Sequence, residues 1–286
     1  MKRGNIKISI SQELNKKNNE FEVECFFIDL DGTLLDGKRH SISDLNAEKI
    51  KEINQNTPVV ISTGRSFGSK VKGLMKSLNI EYAICQNGAI IANNKNEILQ
   101  EIFMDTNMVS LIKQVAKKYR VIIIPDSKYR LYSNVLYLKP LIWFSKKHYF
   151  KLKQFDTTQK YNKLVIAGCR KSKLFKIFLE LKEGFPSLSI KTSADDWIIE
   201  ITDMKATKGL AALYVTKMLN VKPDKSVHIG DSMNDTSTLN HLGALIAMKN
   251  SSKHLLNVAT HIGPSYKKGG LAKILDGDFS ENTEKK

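Results

Sequence analysis

Four short segments of the chain carry acidic, hydroxyl, amide and lysine side chains at places where an apolar run gives out. The first is Asp29-Leu30-Asp31-Gly32-Thr33-Leu34-Leu35. Two carboxylates at alternate positions can reach one site if the chain turns at Gly32. One can then act as nucleophile while the other works as general acid and afterwards as base. The plainer alternative is a turn with solvated acids, since Asp and Gly favour turns anyway. The second segment, Ser62-Thr63-Gly64-Arg65, offers a hydroxyl and backbone N–H groups just before a helix, which suits a phosphate. Ser and Thr in that position also serve as ordinary N-caps. The third, Thr207-Lys208-Gly209, opens a helix. A lysine there opposes the helix dipole unless an anion sits with it, so Lys208 reads either as a phosphate contact or as an exposed first-turn lysine. The Lys-Gly order, with no glycine upstream, is not that of a nucleoside-triphosphate P-loop. The fourth, Gly230-Asp231-Ser232-Met233-Asn234-Asp235, sets a carboxamide between two carboxylates, a hard-oxygen set suited to Mg²⁺. Asp235 could instead cap a following helix. Together the segments supply a nucleophile, a proton donor, a phosphate clamp and a cation site.

The elements that must position these residues follow from periodicity. Cys25 to Leu30 is a near-continuous apolar run ending in acids and glycine, the pattern of a buried parallel strand. Ser41 to Ile53 predicts a helix, Pro58 to Ile61 a strand, Ser66 to Leu78 a helix and Tyr82 to Cys85 a strand. The C-terminal third repeats the alternation with a helix over Lys208 to Leu219 and a strand over Val227 to Ile229. A helical Leu239 to Leu242 and a strand over Leu245 to Met248 follow. Such alternation predicts an α/β fold with a doubly wound, mostly parallel, Rossmann-like sheet, which binds ligands outside the carboxyl ends of its strands. The middle differs. Met108 to Tyr119 and Leu174 to Leu181 have helical spacing, while Val121 to Ile124, Leu164 to Ala167 and Trp197 to Ile201 are β-like, and none of these strands ends in acids. The expected organisation is a discontinuous core of residues 1–90 and 202–286 interrupted by an α+β domain over 91–201.

Composition narrows the function classes. The three cysteines, Cys25, Cys85 and Cys169, are too few and too scattered for a disulfide framework or a zinc spacing. No stretch approaches the roughly 18 consecutive apolar residues of a membrane span, and Met1 to Glu20 has no apolar signal core. A cytoplasmic protein without membrane partners is expected, as monomer or homodimer. The 45 Lys and Arg against 29 Asp and Glu give a net charge of +16, which can attract phosphorylated metabolites or nucleic acid. The lysines are dispersed rather than clustered, so solvated faces explain them and a nucleic-acid partner is not expected.

Asp29 to Leu35, Thr63, Lys208 and Gly230 to Asp235 resemble the four ordered motifs of haloacid dehalogenase-like phosphatases. Ser62-Thr63-Gly64-Arg65, Gln86-Asn87-Gly88-Ala89 and Glu200-Ile201 leading into Lys208-Gly209 are similar to the Cof-type branch, which carries a large inserted cap. The resemblance runs from about Val23 to Leu275. It implies Mg²⁺-dependent hydrolysis of small phosphorylated metabolites, whether sugar phosphates, nucleotides or pyridoxal phosphate, through an aspartyl phosphate. Asp29 is then the nucleophile, and Asp31 protonates the leaving oxygen and activates the water. Asp29, the backbone carbonyl of Asp31, and Asp231 are implied to hold Mg²⁺. Thr63, Gly64, Lys208 and Asn234 are implied to bind phosphate, with Asn234 and Asp235 also supporting the metal side. A sugar phosphomutase of the same superfamily and a non-catalytic ligand-binding relative are the alternatives. Two departures and one unusual stretch stand out. Ile6, Ile8 and Ile10 alternate like an added sheet edge in an N-terminal extension. Lys249 follows Met248 where the family often has glycine, so Lys249 and Asn250 either touch substrate or lie on the surface. From Tyr129 to Phe155, Tyr129, Tyr132, Tyr137, Trp143, Phe144, Tyr149 and Phe150 interleave with Lys and Arg, to stack on a ligand or to pack the cap's own core.

Overall fold

The computed structural model describes residues 6–7, 22–35, 41–126, 130–134, 148–193 and 197–282. The chain forms two compact units, one of residues 1–99 and 207–286 and one of residues 100–206. At the start of the first, β1 (Ile6–Lys7) pairs antiparallel with β2 (Glu22–Val23). Ile6–Lys7 therefore belongs to a two-stranded ribbon rather than to an added edge of the main sheet; Ile8 and Ile10 lie outside the described residues. β3 (Cys25–Ile28) is buried at every position. Phe26 and Ile28 join the cluster built with α1 (Asp44–Ile53), β4 (Val59–Ser62) and α2 (Ser69–Leu78), whereas Cys25 and Phe27 join a cluster on the other face. A strand covered on both faces has to be apolar throughout, hence the unbroken run in the sequence. α1 begins at Ser43, whose Oγ accepts from Asn46 N at 3.3 Å. α2 starts three residues later than the expected Ser66 and ends at Asn79 in the left-handed region, φ 57°. β5 (Tyr82–Cys85), β6 (Ile90–Asn93) and β7 (Ile98–Glu101) follow. Because β6 and β7 hydrogen-bond into the main sheet, the units part at Leu99, later than the expected 90/91.

The second unit contains α3 (Thr106–Tyr119), β8 (Ile122–Pro125), β9 (Arg130–Ser133), β10 (His148–Lys151), β11 (Lys163–Ala167), α4 (Lys171–Gly184), β12 (Leu188–Ser193) and β13 (Ile198–Asp203). The strands form one sheet in the order β10-β9-β8-β11-β13-β12, antiparallel except for β9 and β10. Ile112, Val115 and Ala116 of α3 and Leu174, Ile177 and Leu181 of α4 pack with Ile123, Leu164, Ile166, Ile199 and Ile201 of the sheet. Helical spacing of 3–4 residues is what sends these side chains to one face. Of the aromatic stretch, Tyr132, Phe150 and Phe155 pack within this core, Tyr132 stacking on Phe150 at 5.4 Å between ring centroids. That answers the question for those three; Tyr129, Tyr137, Trp143 and Phe144 lie outside the described residues.

The chain then returns to the first unit through α5 (Lys208–Leu219), β14 (Ser226–Gly230), β15 (Ala244–Met248), α6 (Lys253–Val258), β16 (His261–Gly263), α7 (Gly270–Leu275) and β17 (Ser280–Glu281). Leu239–Leu242 is not helical: a 3₁₀ turn at Asp235–Thr238 precedes it, and the four residues form turns. The turn is tied by side chain–backbone bonds, Thr238 Oγ1 to Asp235 O and Ser237 Oγ to Asn234 O, which compete with helix extension. The completed sheet runs β17-β16-β15-β14-β3-β4-β5-β6-β7 and is parallel from β16 to β5. Ala211, Ala212 and Val215 of α5 pack on one face, while α1, α2 and α7 pack on the other, giving the doubly wound α/β fold. From β3 the chain winds outward through β4 and β5, and from β14 it winds the opposite way through β15 and β16. The switch point thus lies between β3 and β14, where such sheets bind ligands. Among the described residues no helix is long and apolar enough to cross a membrane.

Candidate active site

All four segments belong to the first unit, three of them at the carboxyl ends of neighbouring strands and the fourth at the start of a helix. Asp29 follows β3, Thr63 follows β4 and Asp231 follows β14, and the order β14-β3-β4 makes their loops adjacent. Lys208 is the first residue of α5, whose N-cap Thr207 accepts from Leu210 N at 3.2 Å. Its side chain is 1% exposed, so the exposed-lysine alternative falls. Its Nζ donates to Asp29 Oδ1 and to Asp235 Oδ1, each at 2.6 Å. Asp235 is wholly buried and has further partners: His228 Nε2 at 2.7 Å on Oδ1, and Ser232 N at 2.9 Å and Ser232 Oγ at 3.5 Å on Oδ2. It anchors the loop instead of capping a helix. Asp31 points elsewhere, into a two-pronged contact with Arg65: Nε donates to Oδ2 at 2.7 Å and Nη2 donates to Oδ1.

Thr63 is buried and its Oγ1 accepts from Arg65 N at 3.2 Å, within its own loop. Asn234 Nδ2 donates to Asn87 Oδ1 at 2.9 Å, joining the loop after β14 to the turn after β5. Gly64 packs beside the same Asn87 side chain. Asn250, in the loop after β15, donates from Nδ2 to Gly32 O at 2.9 Å and to Asp231 Oδ2 at 3.3 Å, while its Oδ1 accepts from Tyr266 N at 3.0 Å. Lys249 is exposed.

The charges are unevenly balanced. Burial, followed by the Asp29 and Asp235 charges, pushes the Asp231 carboxyl up to about 8. Burial raises Asp29 as well, against the pull of Lys208. For Asp235 burial acts in the same direction, but Lys208 and His228 overcome it and hold its carboxyl below the usual range. Burial would lower Lys208, yet Asp235 and Asp29 together raise it. One ammonium thus serves two carboxylates, and a third lies beside them.

Residues 26–275 match a family model described as haloacid dehalogenase-like hydrolase. The chain belongs to the haloacid dehalogenase-like hydrolase family. The match is to the Cof-type branch, and the α+β unit of residues 100–206 stands where that branch carries its inserted cap. A Bacillus subtilis 5-amino-6-(5-phospho-D-ribitylamino)uracil phosphatase is 27% identical over 283 residues, covering 89% of this chain and 97% of the relative. A Mycoplasma pneumoniae protein provisionally named a phosphatase is 26% identical over 276 residues, covering 89% and 97%. Among solved structures, a haloacid dehalogenase-like hydrolase from B. subtilis superposes with a TM-score of 0.74 at 22% identity, covering 88% of this chain and 99% of that one.

In this haloacid dehalogenase-like hydrolase the donor set suits a hard divalent cation. Asp29, Asp231 and Asp235 each offer a carboxylate oxygen, all within 4.8 Å of one another. Two of the three, Asp29 and Asp231, are driven toward protonation by burial and like charge, the imbalance a bound cation relieves. Asp235 is already held by Lys208, His228 and Ser232, which leaves Asp29 and Asp231 the freer pair. Reading the sequence did not single out Arg65, Asn87 or His228 as site residues, and it offered Asn250 only as a substrate contact or a surface residue. His228 had a signal: a polar residue inside a strand buried at every position. Asn250 had little beyond the lost glycine beside it, because its contacts span 218 residues of chain to Gly32.

Proposed function

We propose that this phosphatase of the haloacid dehalogenase-like family hydrolyses small phosphorylated metabolites with Mg²⁺, through an aspartyl phosphate at Asp29. The observation that carries the reading is the buried Asp29–Lys208–Asp235 chain beside Asp231 at the switch point of the sheet. Lys208 on Oδ1 of Asp29 leaves Oδ2 to attack phosphorus. The bond from phosphorus to the leaving oxygen breaks, and Asp31, released from Arg65 and protonated from solvent before the step, passes that proton to the leaving oxygen. Asp31 then takes a proton from water, whose oxygen attacks phosphorus, breaks the bond to Asp29 and releases inorganic phosphate. Lys208 and Thr63, with the backbone at Gly64, neutralise and orient the phosphoryl oxygens, and Asn234 steadies that side of the site. Mg²⁺, held by Asp29, Asp231 and the Asp31 carbonyl with Asp235 behind them, supplies positive charge to the transferring group.

The substrate belongs to the class of sugar phosphates, nucleotides and cofactor phosphates. The B. subtilis relative's phosphorylated ribityl compound adds a sugar-alcohol phosphate on a pyrimidine to that class. On this reading the second unit is the cap that selects the leaving group, and the enzyme is cytoplasmic, as monomer or homodimer. The test is phosphate release from a panel of these compounds with Mg²⁺ or with chelator, using Asp29→Asn as background. Release that needs both Mg²⁺ and Asp29 is expected, and Asp29→Asn should keep its fold because Asp29 lies at a strand end. Equal release by Asp29→Asn would overturn the nucleophile, and stimulation by a sugar bisphosphate would turn the reading toward a phosphomutase.

A further inference from the structure

The reaction above leaves His228 without a part. The residue is wholly buried in β14 between Val227 and Ile229, where an apolar side chain would ordinarily fill the strand. Its Nε2 lies 2.7 Å from Asp235 Oδ1, the oxygen that also accepts from Lys208 at 2.6 Å. Its Nδ1 is buried and has no hydrogen-bond partner among the described residues. Asp235, with Lys208 on the same oxygen, is a carboxylate that can only accept, so the ring proton belongs on Nε2 and Nδ1 keeps a bare lone pair. Burial, outweighing the Asp235 charge, holds the imidazole below its ordinary range and therefore neutral.

We propose that His228 is a positioning residue for phosphoryl transfer: as an Nε2–H donor it locks Asp235, and through Asp235 it aims Lys208 at Asp29. The proposal rests on the phosphatase reading. Lys208 is shared equally between two carboxylates, 2.6 Å from each, so its place depends on how firmly each is held. With His228 and Ser232 N donating to it, Asp235 is a fixed acceptor. Without His228, Lys208 becomes the sole donor to Oδ1. The carboxylate then turns toward the ammonium and draws it away from the phosphoryl group. The transition state, which carries the charge Lys208 must meet, suffers more than substrate binding does.

The experiment compares wild type, His228→Leu and His228→Gln on p-nitrophenyl phosphate at saturating Mg²⁺, with thermal scans to establish folding. His228→Leu should lower kcat about tenfold or more, the scale seen when a partner behind a metal site is lost, with KM little changed. His228→Gln places an amide N–H the same number of bonds from the backbone and should recover most of that loss. A folded Leu variant with wild-type kcat, or a Gln variant as impaired as Leu, would overturn the proposal. Nitrogen NMR on histidine-labelled wild type reads the tautomer without turnover or substitution, and so decides even where a variant fails to fold. The neutral Nε2–H form is expected, and the Nδ1–H form would sink the idea. Should wild type release no more phosphate than Asp29→Asn, the phosphatase reading fails, and the NMR result still decides whether His228 donates to Asp235.

Discussion

Asp231 lies half-buried beside two further carboxylates, and its contact with Asn250 is a single amide hydrogen bond at 3.3 Å. Its carboxyl, raised to about 8, binds a proton in the fold at pH values where the unfolded chain, with an ordinary carboxyl near 3.9, has lost it. Between those two values the folded state holds more protons, so this group's contribution to stability is full below about pH 4 and is lost as pH rises through 8. A divalent cation needs the ionised form, so binding expels the proton and strengthens with pH. The prediction is a melting temperature that Mg²⁺ raises more at pH 8.5 than at pH 5.5. Thermal scans with and without Mg²⁺ check it, and a pH-independent increment would count against Asp231 as a ligand. That Asp231 ends a strand could be read from the chain. The raised carboxyl could not, since it comes first from burial in the fold and then from the charges of Asp29, remote in sequence, and Asp235.

At the scale of elements, the loops hold one another. Gly88 closes the turn after β5 at φ 107°, and a Cβ there would run into the backbone of Thr207, the cap of the helix that starts with Lys208. Alanine meets both an unfavourable backbone and a wall. Gly88→Ala should therefore cost about 2 kcal/mol or more and, by displacing the start of α5, lower phosphatase activity in whatever protein remains folded. Urea unfolding with a parallel activity assay separates the two effects. Asn250 ties the loop after β15 to Gly32 and Asp231. For Asn250→Ala we expect near-normal stability, because the side chain lies in a surface loop, with a Mg²⁺ requirement raised about tenfold. A Mg²⁺ titration of activity reads this directly, and an unchanged midpoint would make Asn250 merely a loop tie. The helix and strand types were legible because each element has its own apolar period. The Asp235–Thr238 turn was not, because it is decided by side chains bonding to nearby carbonyls rather than by apolar spacing.

Across the whole molecule, the cores of the two units draw on separate residues, and the cysteines are divided between them. Cys25 and Cys85 are fully buried in the first unit, and burial lifts both thiols, Cys85 to about 12. Cys169, in the second, is only half-buried and less strongly affected. An aromatic disulfide reagent at pH 8 should label one thiol in the native protein, Cys169, and all three after denaturation. Fast labelling of a second thiol would show that the first unit opens. Of the 45 Lys and Arg, Lys208 meets the buried Asp29 and Asp235, and Arg65 meets Asp31.

Short-range pattern decided the element types, the doubly wound class and the acids at the strand ends. It could do so because apolar period, strand-end acids and turn glycines are local properties that neighbours in the chain express together. Only the tertiary structure decided which of the gathered groups touch. Lys208 is drawn between Asp29 and Asp235, Asp31 is taken up by Arg65, and Asn250 and His228 reach the site from a loop and a strand interior. Those pairings depend on strand order and on the scarcity of counter-charge in a buried place, and neither is written in the spacing of any one segment.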